Sequence, residues 1–123
     1  MKKLYWIILL ICNICIGQEV INKNNFNDKI AKDIVVIEFW ASWNAQNEFK
    51  DLSKLKECNK YRVDITADMD LQMKYKVEAI PTVIIFDNGK EKERFLPNIM
   101  FQLDVDKKVL QNSVDTLLLN KFQ

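Results

Sequence analysis

The chain opens on a nearly unbroken apolar run, Leu4 to Ile16, interrupted by Asn13 and preceded by Lys2 and Lys3. After it, the pattern breaks into short blocks. Glu19-Val20-Ile21 predicts a short first strand. Asn24 or Asn25 can cap a helix through Lys32, with Phe26 and Ile30 four residues apart on one face. Residues 34–40 (IVVIEFW) are β-branched and aromatic and almost continuously apolar, which predicts a central strand covered on both faces. Asn44 can cap a second helix, residues 45 to about 57, with Phe49, Leu52 and Leu55 as its buried stripe. Glu48 and Asp51 near its start and Lys54 and Lys56 near its end suit the helix dipole.

The same alternation continues to the C-terminus. Residues 61–65 (YRVDI) predict a strand, and residues 68–76 a short helix with Leu71 and Tyr75 on one face. Residues 82–86 (TVIIF) predict a second buried strand, Asp87-Asn88-Gly89 a hairpin turn, and residues 91–96 a charged, edge-like return strand. Asp104 or Asp106 starts a last helix whose apolar face is Leu110, Val114, Leu117 and Leu118. The order β-α-β-α-β-α-β-β-α predicts an α/β domain, a central mixed sheet flanked by helices on both faces.

The first block is of another kind. At helical rise, Leu4–Ile16 spans about 20 Å, short of the roughly 30 Å hydrocarbon core. The basic start, the apolar run and the small-x-small pattern Cys15-Ile16-Gly17 predict a signal peptide at 1–17, with one domain at 18–123. The expected destination is the periplasm, with no membrane span after cleavage. The alternative is an uncleaved N-terminal membrane anchor. Ile11 and Ile14 precede Cys12 and Cys15 where a lipoprotein site would want a small residue. Cleavage removes two lysines and no acid, leaving Gly89 as the one glycine and Cys58 as the one cysteine of the domain, so that no internal disulfide is expected.

Composition narrows the chemistry. A chain of 123 residues that is 49% hydrophobic fits a single core. It contains no histidine, which excludes a Ser-His-Asp triad, a Cys-His dyad and a His-ligated metal or haem. Two glycines as far apart as Gly17 and Gly89 exclude a Walker A loop and a G-x-G-x-x-G fingerprint. A formal charge of +1 offers no basic field for nucleic acid. No cofactor and no metal are expected.

Residues 38–47 read EFWASWNAQN, followed later by Ala79-Ile80-Pro81-Thr82, the VIIF strand and Asp87-Asn88-Gly89-Lys90. This combination resembles the thioredoxin family: an acid, F-W-A-x-W, C-x-x-C at a helix start, I-P-T before a strand, then a turn with N-G. The resemblance spans roughly residues 20–122 and implies a thioredoxin-like fold. Where the family carries C-x-x-C, this chain has Asn44-Ala45-Gln46-Asn47. In that chemistry, a thiolate attacks a disulfide and a second cysteine resolves the mixed disulfide. Amides offer no such nucleophile, so Asn44 and Asn47 are degenerate redox positions and no catalytic residue is expected there.

The resemblance assigns the other positions. Glu38 would be the family's buried acid, with a raised pKa and a lysine from a neighbouring strand as its expected partner, but with no thiol to serve. Ile80-Pro81 would be the family's cis bond, bordering a groove in which backbone can pair with an extended peptide. Trp43, Ile80 and Pro81 are then the candidate peptide-binding residues, with Trp43 exposed and Trp40 in the core. Only residues 48–60 separate Asn47 from the YRVDI strand, so the second helix is expected to be shorter than the family's. Ile99, Met100 and Phe101 are expected in the core, with a partner contact as the alternative. Cys58 is expected at the opposite end of the sheet from Asn44, a passive lone thiol. The expected function is an exported module that binds a protein or peptide without dithiol chemistry. The alternatives are a thiol-disulfide oxidoreductase or redox-homeostasis protein acting through Cys58, and a structural subunit of an envelope assembly.

Overall fold

The apolar block at 34–40 becomes the second of four strands. In the computed structural model, which describes residues 18–122, β1 (Ile34–Trp40) is buried along its length except at Trp40. The sheet order is β2-β1-β3-β4, with β2 (Asn59–Asp64), β3 (Thr82–Asp87) and β4 (Lys90–Phe95). β1 is parallel to β2 and antiparallel to β3, and β3 is antiparallel to β4. The predicted signal peptide at 1–17 lies outside the described residues. No helix among the described residues is long and apolar enough to cross a membrane.

Strand period two sorts β1 between two cores. Val35, Ile37 and Phe39 pack with α1 (Phe26–Ile30) and α2 (Met69–Lys74), around Phe26, Ile30 and Leu71. Ile34 and Val36 pack on the other face with Phe49, Leu52, Leu55 and the Leu110 and Val114 stripe of α3 (Lys107–Asn120). Four aromatic rings meet on the first face. Phe26 lies 5.0 Å from Tyr75, 5.8 Å from Phe86 and 6.2 Å from Phe39. A central mixed sheet with helices on both faces is therefore the architecture.

Local chemistry sets the ends of the elements. Of the two candidate caps for α3, Asp106 is the one used: its carboxylate accepts from Val109 N at 3.1 Å. Asn25 does not cap α1, because its Oδ1 accepts from Asn22 N. α1 also stops at Ile30 rather than Lys32, because Asp33 turns left-handed (φ 64°) and exchanges hydrogen bonds with Asn88. The expected first strand shrinks to one parallel bridge, Val20 to Arg62.

The β3–β4 hairpin turns on Asn88 (φ 50°) and Gly89 (φ 84°), the paired positive φ of a type I′ turn. A Cβ at Gly89 would meet nothing closer than 3.9 Å, so backbone conformation alone decides its tolerance. Gly89→Ala is expected to cost about 1–2 kcal/mol in urea unfolding, with the fold retained.

The predicted helix over 45–57 does not form. Two 3₁₀ segments replace it, Ser42–Asn47 and Leu52–Lys54. An α-helix begun at Ala45 would need Phe49 N–H to bond the Ala45 carbonyl. Instead Phe49 N donates to Glu38 Oε2 (2.7 Å), and Ala45 O accepts from Glu48 N in a tighter turn. Arg62 Nη2 donates to the Phe49 carbonyl at 2.8 Å. Phe49, Leu52 and Leu55, all buried, recur every three residues, which is the 3₁₀ period and not the α-helical one.

Candidate functional site

The C-terminal end of β1 delivers the chain into the turn at 42–47. The register Phe39↔Thr82 brings Pro81 to the same end of the sheet, and the Ile80–Pro81 bond is cis as expected. A third segment, 97–103, closes on itself by a Pro97–Leu103 bridge and by Asn98 N donating to Gln102 O. These three stretches make up the candidate site.

Asn44 and Asn47 meet here. Asn47 Nδ2 donates to Asn44 Oδ1 at 2.8 Å, so the two side chains hold each other by an amide–amide hydrogen bond. Asn44 is 5% exposed, and its own Nδ2 donates to the Phe101 carbonyl at 3.0 Å. That accounts for its failure to cap a helix, and its backbone is non-helical (φ −113°, ψ 24°). The cross-link also fixes Phe101, a left-handed residue (φ 59°), against the turn. Trp43 is 63% exposed, as expected, and stands edge-to-face with the Phe101 ring at 5.7 Å. Trp40 is half-buried.

The structure corrects the reading of Ile99, Met100 and Phe101 as core. They are 97%, 66% and 46% exposed. The turn that carries them stands on polar and backbone bonds, with Asn98 Oδ1 accepting from Met100 N and Gln102 N. Ile80 and Pro81 are themselves buried, so this edge of the candidate site can present backbone but little side chain.

Beneath the turn, Glu38 is fully buried. It faces the 49–55 side of the sheet, and its partner is an arginine rather than the lysine expected. Arg62, directly across the parallel ladder, donates Nε to Glu38 Oε1 at 2.8 Å. Burial pushes the Glu38 carboxyl above its ordinary value, while the Phe49 N–H and the Arg62 guanidinium pull it partly back. Glu48 lies 3.9 Å from the other side of the guanidinium. Arg62 does not stand out in the sequence. Both oxygens of Glu38 are engaged, so the carboxylate acts as a brace for the segment after the turn.

Cys58 is elsewhere. It precedes β2, whose Asn59 is paired with Val35, so it lies beside the start of β1 while Asn44 lies beyond its end. It is a free cysteine whose thiol burial pushes up to about 11, the opposite of activation. The structure therefore brings Trp43, Asn44 and Asn47 together, sets Ile80 and Pro81 at the same end, places Glu38 beneath and leaves Cys58 apart.

Comparison with known proteins adds to this picture. The family profile described as Thioredoxin matches residues 17–100. A thioredoxin of Chlamydia trachomatis is 33% identical over 82 residues, 62% of this chain and 80% of that protein. A protein disulfide isomerase-like protein 2-3 of Oryza sativa is 36% identical over 80 residues, 58% of this chain but 18% of that protein. Among solved structures, a point mutant of a thioredoxin from Halobacterium salinarum superposes with a TM-score of 0.67 at 19% identity, over 81% of this chain and 89% of that one.

Proposed function

Because the chain belongs to the thioredoxin family, we propose that it is an exported thioredoxin-fold protein that binds a protein or peptide partner and carries out no dithiol exchange. The observation that carries this reading is the Asn44–Asn47 hydrogen bond at the place of the redox pair. Two amides there can neither attack a disulfide nor store two electrons. The exposure of Trp43, at the same end of the sheet as Ile80 and Pro81, supports a contact surface for an extended peptide there.

Relatives named thioredoxin and protein disulfide isomerase favour a second reading, in which the chain reduces disulfides through Cys58. The high thiol pKa and the distance of Cys58 from the candidate site oppose it. A turnover assay on a protein disulfide, with excess small-molecule dithiol as reductant, separates the two. The expected result is no rate above that of the reductant alone, in the natural protein and in Cys58→Ser alike. A rate that disappears in Cys58→Ser would overturn the binding reading. Export is tested separately: a secreted protein whose N-terminal residue is Gln18 supports it, and an intact N-terminus in the cytoplasm refutes it.

A further inference from the structure

Ile99, at 97%, is the most exposed large apolar side chain among the described residues, and Met100, Phe101 and Trp43 are exposed at the same end of the sheet. We infer that Trp43, Ile99, Met100 and Phe101 form a self-association surface whose occupant is a second copy of this chain. The inference rests on the partner-binding reading of this end of the sheet, Trp43 included, and names the partner; dimerisation is read by sedimentation, and so fails separately from the disulfide assay of that reading.

Three observations point to a second copy. The first is charge. Residues 39–47 and 95–103, which build the surface, contain no charged residue, in a chain in which 28% are charged. A two-fold contact sets the same patch against itself, so any charge in it would meet its like. An apolar, charge-free patch carries no such penalty.

The second is shape. Ile99 and Met100 protrude at 97% and 66% exposure, and next to them the Trp43 and Phe101 rings form an edge-to-face pair. A two-fold axis can therefore seat the protrusion of each copy on the rings of the other. The surface is also held in place before contact. Asn44 Nδ2 grips the Phe101 carbonyl, Phe101 N donates to Asn98 O at 3.1 Å, and Asn98 Oδ1 ties Met100 N and Gln102 N. Little ordering is left for association to supply.

The third is area and position. The four side chains offer on the order of 500 Å², and doubling that across a two-fold axis reaches about 1,000 Å², the lower edge of a specific interface. A weak, concentration-dependent dimer follows. A lipid surface fits less well. Gln18 bonds the carbonyl of Lys60 near the start of β2, at the other end of the sheet, so attachment through the N-terminus would hold the tip away from a bilayer.

The test is sedimentation velocity on protein purified from cells expressing the full chain, over a wide concentration range and at low and about 0.5 M salt. A reversible monomer–dimer shift that high salt does not weaken is expected. Ile99→Asp, at a side chain that touches almost nothing, is expected to weaken the dimer more than about 30-fold, with circular dichroism and thermal midpoint unchanged. Ile99→Asp with Met100→Asp is expected to leave only monomer. Monomer at every concentration overturns the inference, as does a dimer that ignores both variants. So does a protein that sediments with phosphatidylcholine vesicles and is released by Ile99→Asp, which would make the occupant a bilayer.

Discussion

Glu38→Ala is expected to remove about 3–5 kcal/mol of folding stability, measured as the change in urea unfolding free energy near neutral pH. The loss is much larger than that of the side chain's own packing, because of what it leaves behind. Arg62, only 11% exposed, keeps a guanidinium whose Nε has lost its acceptor at 2.8 Å. Phe49 N–H, which now donates to Glu38 Oε2, is left buried without a partner. Each orphaned group carries its own desolvation penalty. Removing both charges together, as Glu38→Leu with Arg62→Leu, is expected to be milder, since no unpaired charge is left, but not neutral, because the N–H and the carbonyl of Phe49 both lose their partners. If the double variant is as unstable as Glu38→Ala, the damage comes from lost bracing of the 48–55 segment and not from the unpaired charge.

The pH dependence of the same site has a definite sign. Burial raises the folded pKa of Glu38 above its ordinary 4.5. Between those two values, the folded state holds more protons than the unfolded state, so this group's contribution to stability falls as pH rises. Below about 4.5 it is constant, and above the folded pKa its loss is complete. Glu38→Gln resembles the protonated acid at every pH. The stability deficit of Glu38→Gln relative to the natural protein is therefore expected to shrink as pH rises through that window. A deficit that grows instead would mean that the carboxylate sits below its ordinary value, dominated by Arg62.

Much of this site could be read from residue order because its signals are local. A run such as IVVIEFW has one economical home, between two covered faces, and Asn88-Gly89 demands positive φ wherever it occurs. The Ile80-Pro81 bond fell to family resemblance, not to periodicity. What the sequence hid depended on strand register. Nothing near Glu38 in the chain announces Arg62, which becomes its neighbour only when β2 aligns beside β1. That pairing then captures both backbone groups of Phe49 and forbids the α-helix that the charge pattern of 45–57 suggests. The three-residue spacing of Phe49, Leu52 and Leu55 was the available warning. Ile99, Met100 and Phe101 misled in the opposite way, because an apolar cluster usually means core, and only the hydrogen-bonded turn beneath them reveals a surface.

The double substitution Asn44→Cys with Asn47→Cys, made together with Cys58→Ser, is expected to give this chain a disulfide between the two introduced cysteines and a slow reductase activity that depends on both. The geometry is already close. The Asn44 and Asn47 side-chain tips lie 2.8 Å apart, so the two side chains already face each other across the turn, as a disulfide between these positions requires. Under mild oxidation, the two introduced thiols should resist alkylation, and excess dithiol should restore them. In turnover, one thiolate attacks the substrate disulfide, the other expels the reduced substrate, and external dithiol regenerates the pair. The rate should stay low. Glu38, the nearby buried acid, has one oxygen on Phe49 N–H and the other on Arg62, so it is poorly placed to accept a proton. Releasing it, by adding Arg62→Met to the same background, is expected to raise the rate at some cost in stability. Thiols that stay free under oxidation in a folded variant would show that the 42–47 turn holds these two positions in a geometry that cannot close the ring.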